Sequence, residues 1–131
     1  MNNSTIQAVG NVATEVRFNT TPEGIPVASF RLAATERKFD RETSRWVDGD
    51  VNWYTVSCWR ALAENVASSI QKGDPVVVIG RLSVRTWERD DRSGTSIDIT
   101  AELIGHDLAR GTSTFKRSAK QIVEELSTAA A

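Results

Sequence analysis

Residues 52–80, NWYTVSCWRALAENVASSIQKGDPVVVIG, decide the fold. The stretch opens with period two. In 52–59 (NWYTVSCW), Tyr54, Val56 and Cys58 fall on one side and Trp53, Thr55, Ser57 and Trp59 on the other, which predicts a half-buried strand. The period then becomes helical. Leu62, Val66 and Ile70 recur every four residues with Ala63 and Ala67 beside them, which predicts a helix over 61–71. Lys72-Gly73 ends it, with Gly73 available as a left-handed C-cap, and Pro75 prevents continuation. Val76 to Ile79 is a β-branched run that leads through Gly80 into a further strand over 82–88.

The same reading extends outward in both directions. Ile6, Ala8, Gly10 and Val12 share one parity and suit a first strand. Residues 27–35 (VASFRLAAT) read as a second, with Ala28, Phe30, Leu32 and Ala34 on one face and Ser29, Arg31, Ala33 and Thr35 on the other. A last strand covers 95–104, with Ile97, Ile99, Ala101 and Leu103 alternating. Residues 19–26 (NTTPEGIP) read as a turn, 39–50 (FDRETSRWVDGD) as a long polar loop, and 89–94 (RDDRSG) as a hairpin tip. The expected fold is all-β with one helix: a five-stranded OB-fold barrel, its helix between strands three and four.

With 131 residues the chain has the size of one domain. No run approaches the ~18 apolar residues of a membrane span, and Met1 to Ile6 has no signal-peptide pattern, so no membrane partner is expected. One cysteine and one histidine build neither an intramolecular disulfide nor a Cys/His zinc site, and a reducing cytosol fits. Sixteen basic against 17 acidic residues give a net charge of −1, which excludes a uniformly basic surface but not a locally basic face. Twelve of the sixteen are arginine, which forks onto phosphates and stacks on flat rings. An ordinary mixed surface would look the same.

Four tryptophans are the unusual feature. Tryptophan is commonly core, but parity argues otherwise for three of them. Trp53 and Trp59 share a face with Thr55 and Ser57, and Trp87 shares one with Ser83, Arg85 and Arg89, while Leu82 and Val84 take the other side. Indoles interleaved with arginine and hydroxyls make a platform on which unpaired bases can stack, at about 1–3 kcal/mol per base. Buried tryptophans and a protein–protein hot spot are the rival readings.

At these residues the sequence resembles the bacterial single-stranded DNA-binding protein family, over about Thr5 to Leu108. The ordered set runs Val9-Gly10-Asn11-Val12, Glu15-Val16-Arg17-Phe18, Val27-Ala28 to Leu32-Ala33, Trp53-Tyr54-Thr55-Val56, Trp59, Leu62-Ala63-Glu64, Lys72-Gly73, Val76-Val77-Val78, Gly80-Arg81-Leu82 and Arg85-Thr86-Trp87. Ile104-Gly105-His106-Asp107-Leu108 is most similar to the actinobacterial branch. The resemblance implies an OB fold, a homotetramer, and single-stranded DNA wrapped without sequence preference in replication, recombination or repair. It implies stacking by Trp53, Trp59, Trp87 and Phe39, with Trp46 in a DNA-contacting loop. It also implies basic contacts from Arg85 and Lys72, to which the face reading adds Arg31 and Arg89. Tyr54, with Ile6 and Ala8, is expected at subunit interfaces. Residues 1–110 form the expected domain. Residues 111–131 form an extension, with 111–115 (GTSTF) a possible clamp strand and 116–131 a helical or flexible tail. The chain ends Ser127-Thr128-Ala129-Ala130-Ala131, without the family's Gly/Pro/Gln-rich tail and acidic tip. Recruitment of repair enzymes through such a tip is therefore not expected, and a short paralogue and a shortened chain fit equally. The expected setting is the cytoplasm, at the nucleoid.

Two other classes compete with this reading. An OB module used for protein contact in a replication assembly would use the same tryptophans. An enzyme is disfavoured: Asp90-Asp91 sit in a hairpin tip, His106 has no Cys or Ser partner near it in sequence, and there is no P-loop or GxSxG elbow. No cofactor is expected.

Overall fold

A computed structural model describes residues 3–118; most of the expected tail, from 119 onward, lies outside the described residues. The elements run β1 (Thr5–Val12), β2 (Arg17–Thr20), β3 (Pro26–Asp40), β4 (Arg45–Trp59), α1 (Arg60–Ser69), β5 (Pro75–Arg89) and β6 (Arg92–His106). The sheet order is β1-β5-β6-β4-β3-β2, and β1 also pairs with β3, which closes the barrel.

Closure happens at β1. One edge pairs antiparallel with β5, from Thr5↔Arg81 to Asn11↔Pro75, and the other meets β3 at Asn11↔Ala33 and Val12↔Leu32. Glycine permits close backbone approach at the β1–β3 seam and again where β5 meets β6. A Cβ on Gly10 would overlap the carbonyl of Ala33, and one on Gly80 would overlap that of Thr100. Inside lie Leu32, Val56, Cys58, Val76, Val78 and Ile99, all fully buried. Ala63, Val66 and Ile70 bring the stripe of α1 into the same core. The chain turns from β4 into α1 through Arg60 at φ 62, left-handed backbone that L-residues adopt at a cost of about 1–2 kcal/mol.

The five-strand expectation misses β2. Its four residues are all exposed and carry no apolar period. Backbone pairing with β3, Arg17↔Ser29 to Thr20↔Pro26, holds the strand in place. The helix expected between strands three and four keeps its place in the chain and lies between β4 and β5. It ends at Ile70, whose N–H bonds Val66 O at 2.9 Å. Gly73 does not cap it. It sits at φ 96 in the following turn, its N–H 2.8 Å from Val12 O.

The expected loop over 39–50 is instead the end of a β3–β4 hairpin paired out to Asp40↔Arg45. Its residues are polar because both faces meet water beyond the barrel. Val84, expected inward, is 57% exposed for the same reason in the β5–β6 arm. Leu103, expected to share a face with Ile97, Ile99 and Ala101, is also exposed. The register steps from Ile79↔Leu103 to Gly80↔Ala101, so Glu102 is an extra residue that reverses the parity of β6 and hands the core position to Ile104. Residues 111–118 carry no strand in the isolated chain. Ala8, expected at a subunit interface, is sealed in the chain's own core, with Ile6 and Tyr54 packed against that core.

Two measurements test this packing. Gly80→Ala should destabilise the chain by about 1–3 kcal/mol in urea unfolding, because backbone must move to admit the methyl. Cys58 is buried with its S–H toward Ala28 O at 3.7 Å, and burial pushes its thiol up from 9.0 to about 11. The unfolded thiol therefore ionises first. Stability that is intact below pH 9 should fall by up to about 3 kcal/mol as pH approaches 11, and Cys58→Ala should lack that part of the loss.

Candidate nucleic-acid interface

Directly paired residues share a face, so the register maps the outer surface. One row runs Ser29–Ser57–Thr100–Arg81 and the next Arg31–Thr55–Asp98–Ser83, each crossing β3, β4, β6 and β5. Trp59 opposite Val27 lies on one side of these rows, and Trp53 opposite Ala33 on the other. Farther out, Phe39 faces Trp46 on the β3–β4 hairpin, and Trp87 faces Gly94 on the β5–β6 hairpin. The five rings are between 45% and 62% exposed in the single chain. The Val56 and Cys58 side of β4 is fully buried, so the parity reading of that strand holds.

Strict alternation would put Trp46 on the opposite face from Trp53. Between Thr35↔Val51 and Arg37↔Asp48, however, β3 has one residue, Glu36, and β4 has two, Gly49 and Asp50. This bulge shifts β4 by one and brings Trp46 onto the face of Trp53 and Trp59. Their partners on β3 are Phe39, Ala33 and Val27, each six residues from the next. The aromatic positions are therefore about 20 Å apart along the strand. Phe39 and Trp46 meet edge to face, with centroids 5.5 Å apart.

Trp53 and Trp87 come together from different hairpins. They line one groove of about 610 Å³ with Arg31, Thr95, Ser96 and Ile97. The Arg31 guanidinium stands over the Trp53 ring, 5.5 Å from its centroid, and the backbone N–H of Arg31 donates to Thr14 Oγ1 at 3.0 Å. The Trp87 indole lies over Gly94, where a Cβ would overlap the ring. Arg85 pairs with the Asp98 carboxylate, whose other oxygen accepts from Ser96 Oγ at 3.0 Å. Trp87 also borders a second groove of about 1030 Å³ at the hairpin tip, with Arg89 and Arg92.

Lys72 is not brought to this cluster. It occupies the turn before β5, whereas Trp87 lies near the strand's far end. Sequence reasoning missed Gly94, Asp98 and Arg92. The available signal for Asp98 was a carboxylate between Ile97 and Ile99 on an alternating strand. His106 does have a serine partner: Nδ1 lies 2.8 Å from Ser113 Oγ, and Nε2 lies 3.1 Å from Asp74 Oδ2. The three side chains tie the turn before β5 to the segment after β6. Among the described residues, no group of three His, Cys, Asp or Glu could hold a metal, and no helix is long and apolar enough to cross a membrane.

The chain is similar to named proteins over most of its length. It is 53% identical over 120 residues to "Single-stranded DNA-binding protein 1" of Streptomyces coelicolor, covering 92% of this chain and 76% of that one. It is 48% identical over 124 residues to "Single-stranded DNA-binding protein 2" of Tropheryma whipplei, covering 95% and 80%. Its fold matches the crystal structure of the small single-stranded DNA-binding protein from Streptomyces coelicolor at a TM-score of 0.78 and 54% identity, covering 85% of this chain and all of that one. The second single-stranded DNA-binding protein of Mycobacterium smegmatis matches at 0.67 and 27%, covering 88% and 99%. Residues 1–107 match the model of the single-strand binding protein family, and the chain belongs to that family.

Proposed function

We propose that the chain is a non-catalytic binder that holds and shields single-stranded DNA without sequence preference, in replication, recombination or repair. The observation that carries this is one outer face with five water-open aromatic rings and arginines between them. Trp53, Trp59, Trp87, Phe39 and Trp46 stack bases. Arg31, Arg85 and Arg89 meet phosphates, and Lys72 is reached only by a strand that wraps farther round the barrel. The relatives named for the same ligand support the reading.

The working unit is a homotetramer. An apolar strip on β1, β5 and β6 supports assembly: Val9 and Leu103 are exposed, and the register sets them beside Val77 and Ile79. Val9 takes the role expected of Ala8, which is sealed in the chain's own core, while Ile6 and Tyr54, both only half-buried, keep the role expected of them. The cytoplasm, at the nucleoid, is the setting this reading implies.

Oligothymidylate should quench tryptophan emission, and the affinity should weaken with salt. Affinity per chain should climb steeply until the oligonucleotide spans the three positions on β3–β4. That length is at most about 12 nucleotides at the stacked rise of 3.4 Å. Emission unchanged at saturating oligonucleotide would sink the proposal. Trp59→Ala should cost about 1–3 kcal/mol of affinity with the fold retained. Gly94→Ala should displace the Trp87 ring, shifting its emission and costing up to the same amount, while the melting transition survives.

A further inference from the structure

Arg85 has a partner inside the proposed interface, and the geometry of the pair is specific. The guanidinium meets Asp98 Oδ2 through Nε, and Asp98 Oδ1 is occupied by Ser96. The carboxylate side chain is 16% exposed and the arginine 68%, so the acid lies behind and the base in front. Arginine carries five N–H donors, and engagement through Nε leaves the four on the terminal nitrogens. No other ion pair of Arg85 is found among the described residues. Those four are the donors that fork onto phosphate. Arg85 itself lines the hairpin-tip groove with Trp87, and its cross-strand partner Ser96 lines both that groove and the one between Trp53 and Trp87.

Resting on the single-stranded DNA reading above, we propose that Asp98 is a positioning residue for DNA binding. Held by Ser96, it fixes the Arg85 guanidinium beside the Trp53–Trp87 groove so that the terminal N–H fork meets the phosphate of a strand stacked there. A free arginine must give up rotamer freedom when it binds, and an arginine already held does not. The opposing effect is simple repulsion between Asp98 and the phosphate. It is blunted because the carboxylate is shielded and already neutralised by the guanidinium in front of it.

The two effects predict opposite signs for one substitution. Asp98→Asn removes a negative charge, so repulsion alone makes the variant bind tighter. Positioning makes it bind weaker, by about 2- to 10-fold, the cost of immobilising one long side chain. The experiment titrates the full chain with oligothymidylate over a salt series, using Asp98→Asn, Arg85→Gln and the double variant, with melting curves alongside. Arg85→Gln should flatten the salt slope by about 0.7, the value for one phosphate contact on a single strand. Asp98→Asn should flatten it in the same direction, and the double variant should bind no worse than Arg85→Gln alone. Ser96→Ala changes no charge and should also weaken binding. It carries the test if Asp98→Asn melts early. Binding by Asp98→Asn as tight as wild type or tighter, or an equal loss in the Arg85→Gln background, overturns the positioning role and leaves the function standing. A wild-type chain that does not bind overturns both.

Discussion

The closing of the barrel at β1 is the constraint on which the other features depend. A β-strand has two faces, and alternation along it means nothing until one face is shut away from water. Pairing of β1 with β5 on one edge and β3 on the other does this. Gly10 lets β1 approach β3 where a methyl would collide, and Gly80 does the same for β5 against β6. Once the sheet is closed, Val56 and Cys58 are inside and Trp53 and Trp59 are outside by geometry alone. The tryptophans are exposed because the same strand has already filled the core with its other face. Hydrophobic burial, at about 25 cal/mol per Å² of apolar surface, is thus satisfied without them.

The parts of the fold legible in the sequence were those written in an unbroken period. The buried faces of β1, β3 and β4 and the stripe of α1 could be read directly, because one period ran the length of each core segment. The misreadings have two physical causes. One is the bulge. Glu102 reverses the parity of β6, and the Gly49–Asp50 step reverses that of β4, so residues beyond each point obey the opposite rule. A bulge adds one residue and leaves almost no mark on composition. The other cause is the strand with no buried face. β2 and the outer hairpins are held by backbone pairing in water, so their side chains carry no apolar period to read.

Electrostatics explain how a chain of net charge −1 can present this surface. Three of the arginines on this face already have partners. Arg37 lies 3.7 Å from Asp48, Arg85 meets Asp98, and Arg31 stands over the Trp53 ring. An exposed pair such as Arg37–Asp48 contributes about 0–1 kcal/mol to stability, so the consequence of such contacts lies in what they offer a ligand. An arginine paired from behind by a carboxylate keeps its outer donors while losing much of its long-range field, whereas one laid over a neutral indole keeps both. Such a surface attracts polyanions weakly at a distance and depends on close contact. In the proposed function, stacking on the rings then carries more of the affinity than it would on a uniformly basic surface.

The spacing of the rings follows from the same β-geometry. On β3 the partners of Trp59, Trp53 and Trp46 are Val27, Ala33 and Phe39, an even interval of six residues. Six is even, so β3 returns to the same face each time. On β4 the interval from Trp53 to Trp59 is also six, but that from Trp46 to Trp53 is seven, which a regular strand would place on opposite faces. The extra residue at Gly49–Asp50 absorbs the odd step. The aromatic series therefore owes its third position to an irregularity rather than to the periodicity that built the first two. The long hairpin then has a physical reason to be paired out to Asp40 and Arg45. A loop would let Trp46 wander, whereas a ladder with one bulge holds it opposite Phe39, on the face where the other rings stand.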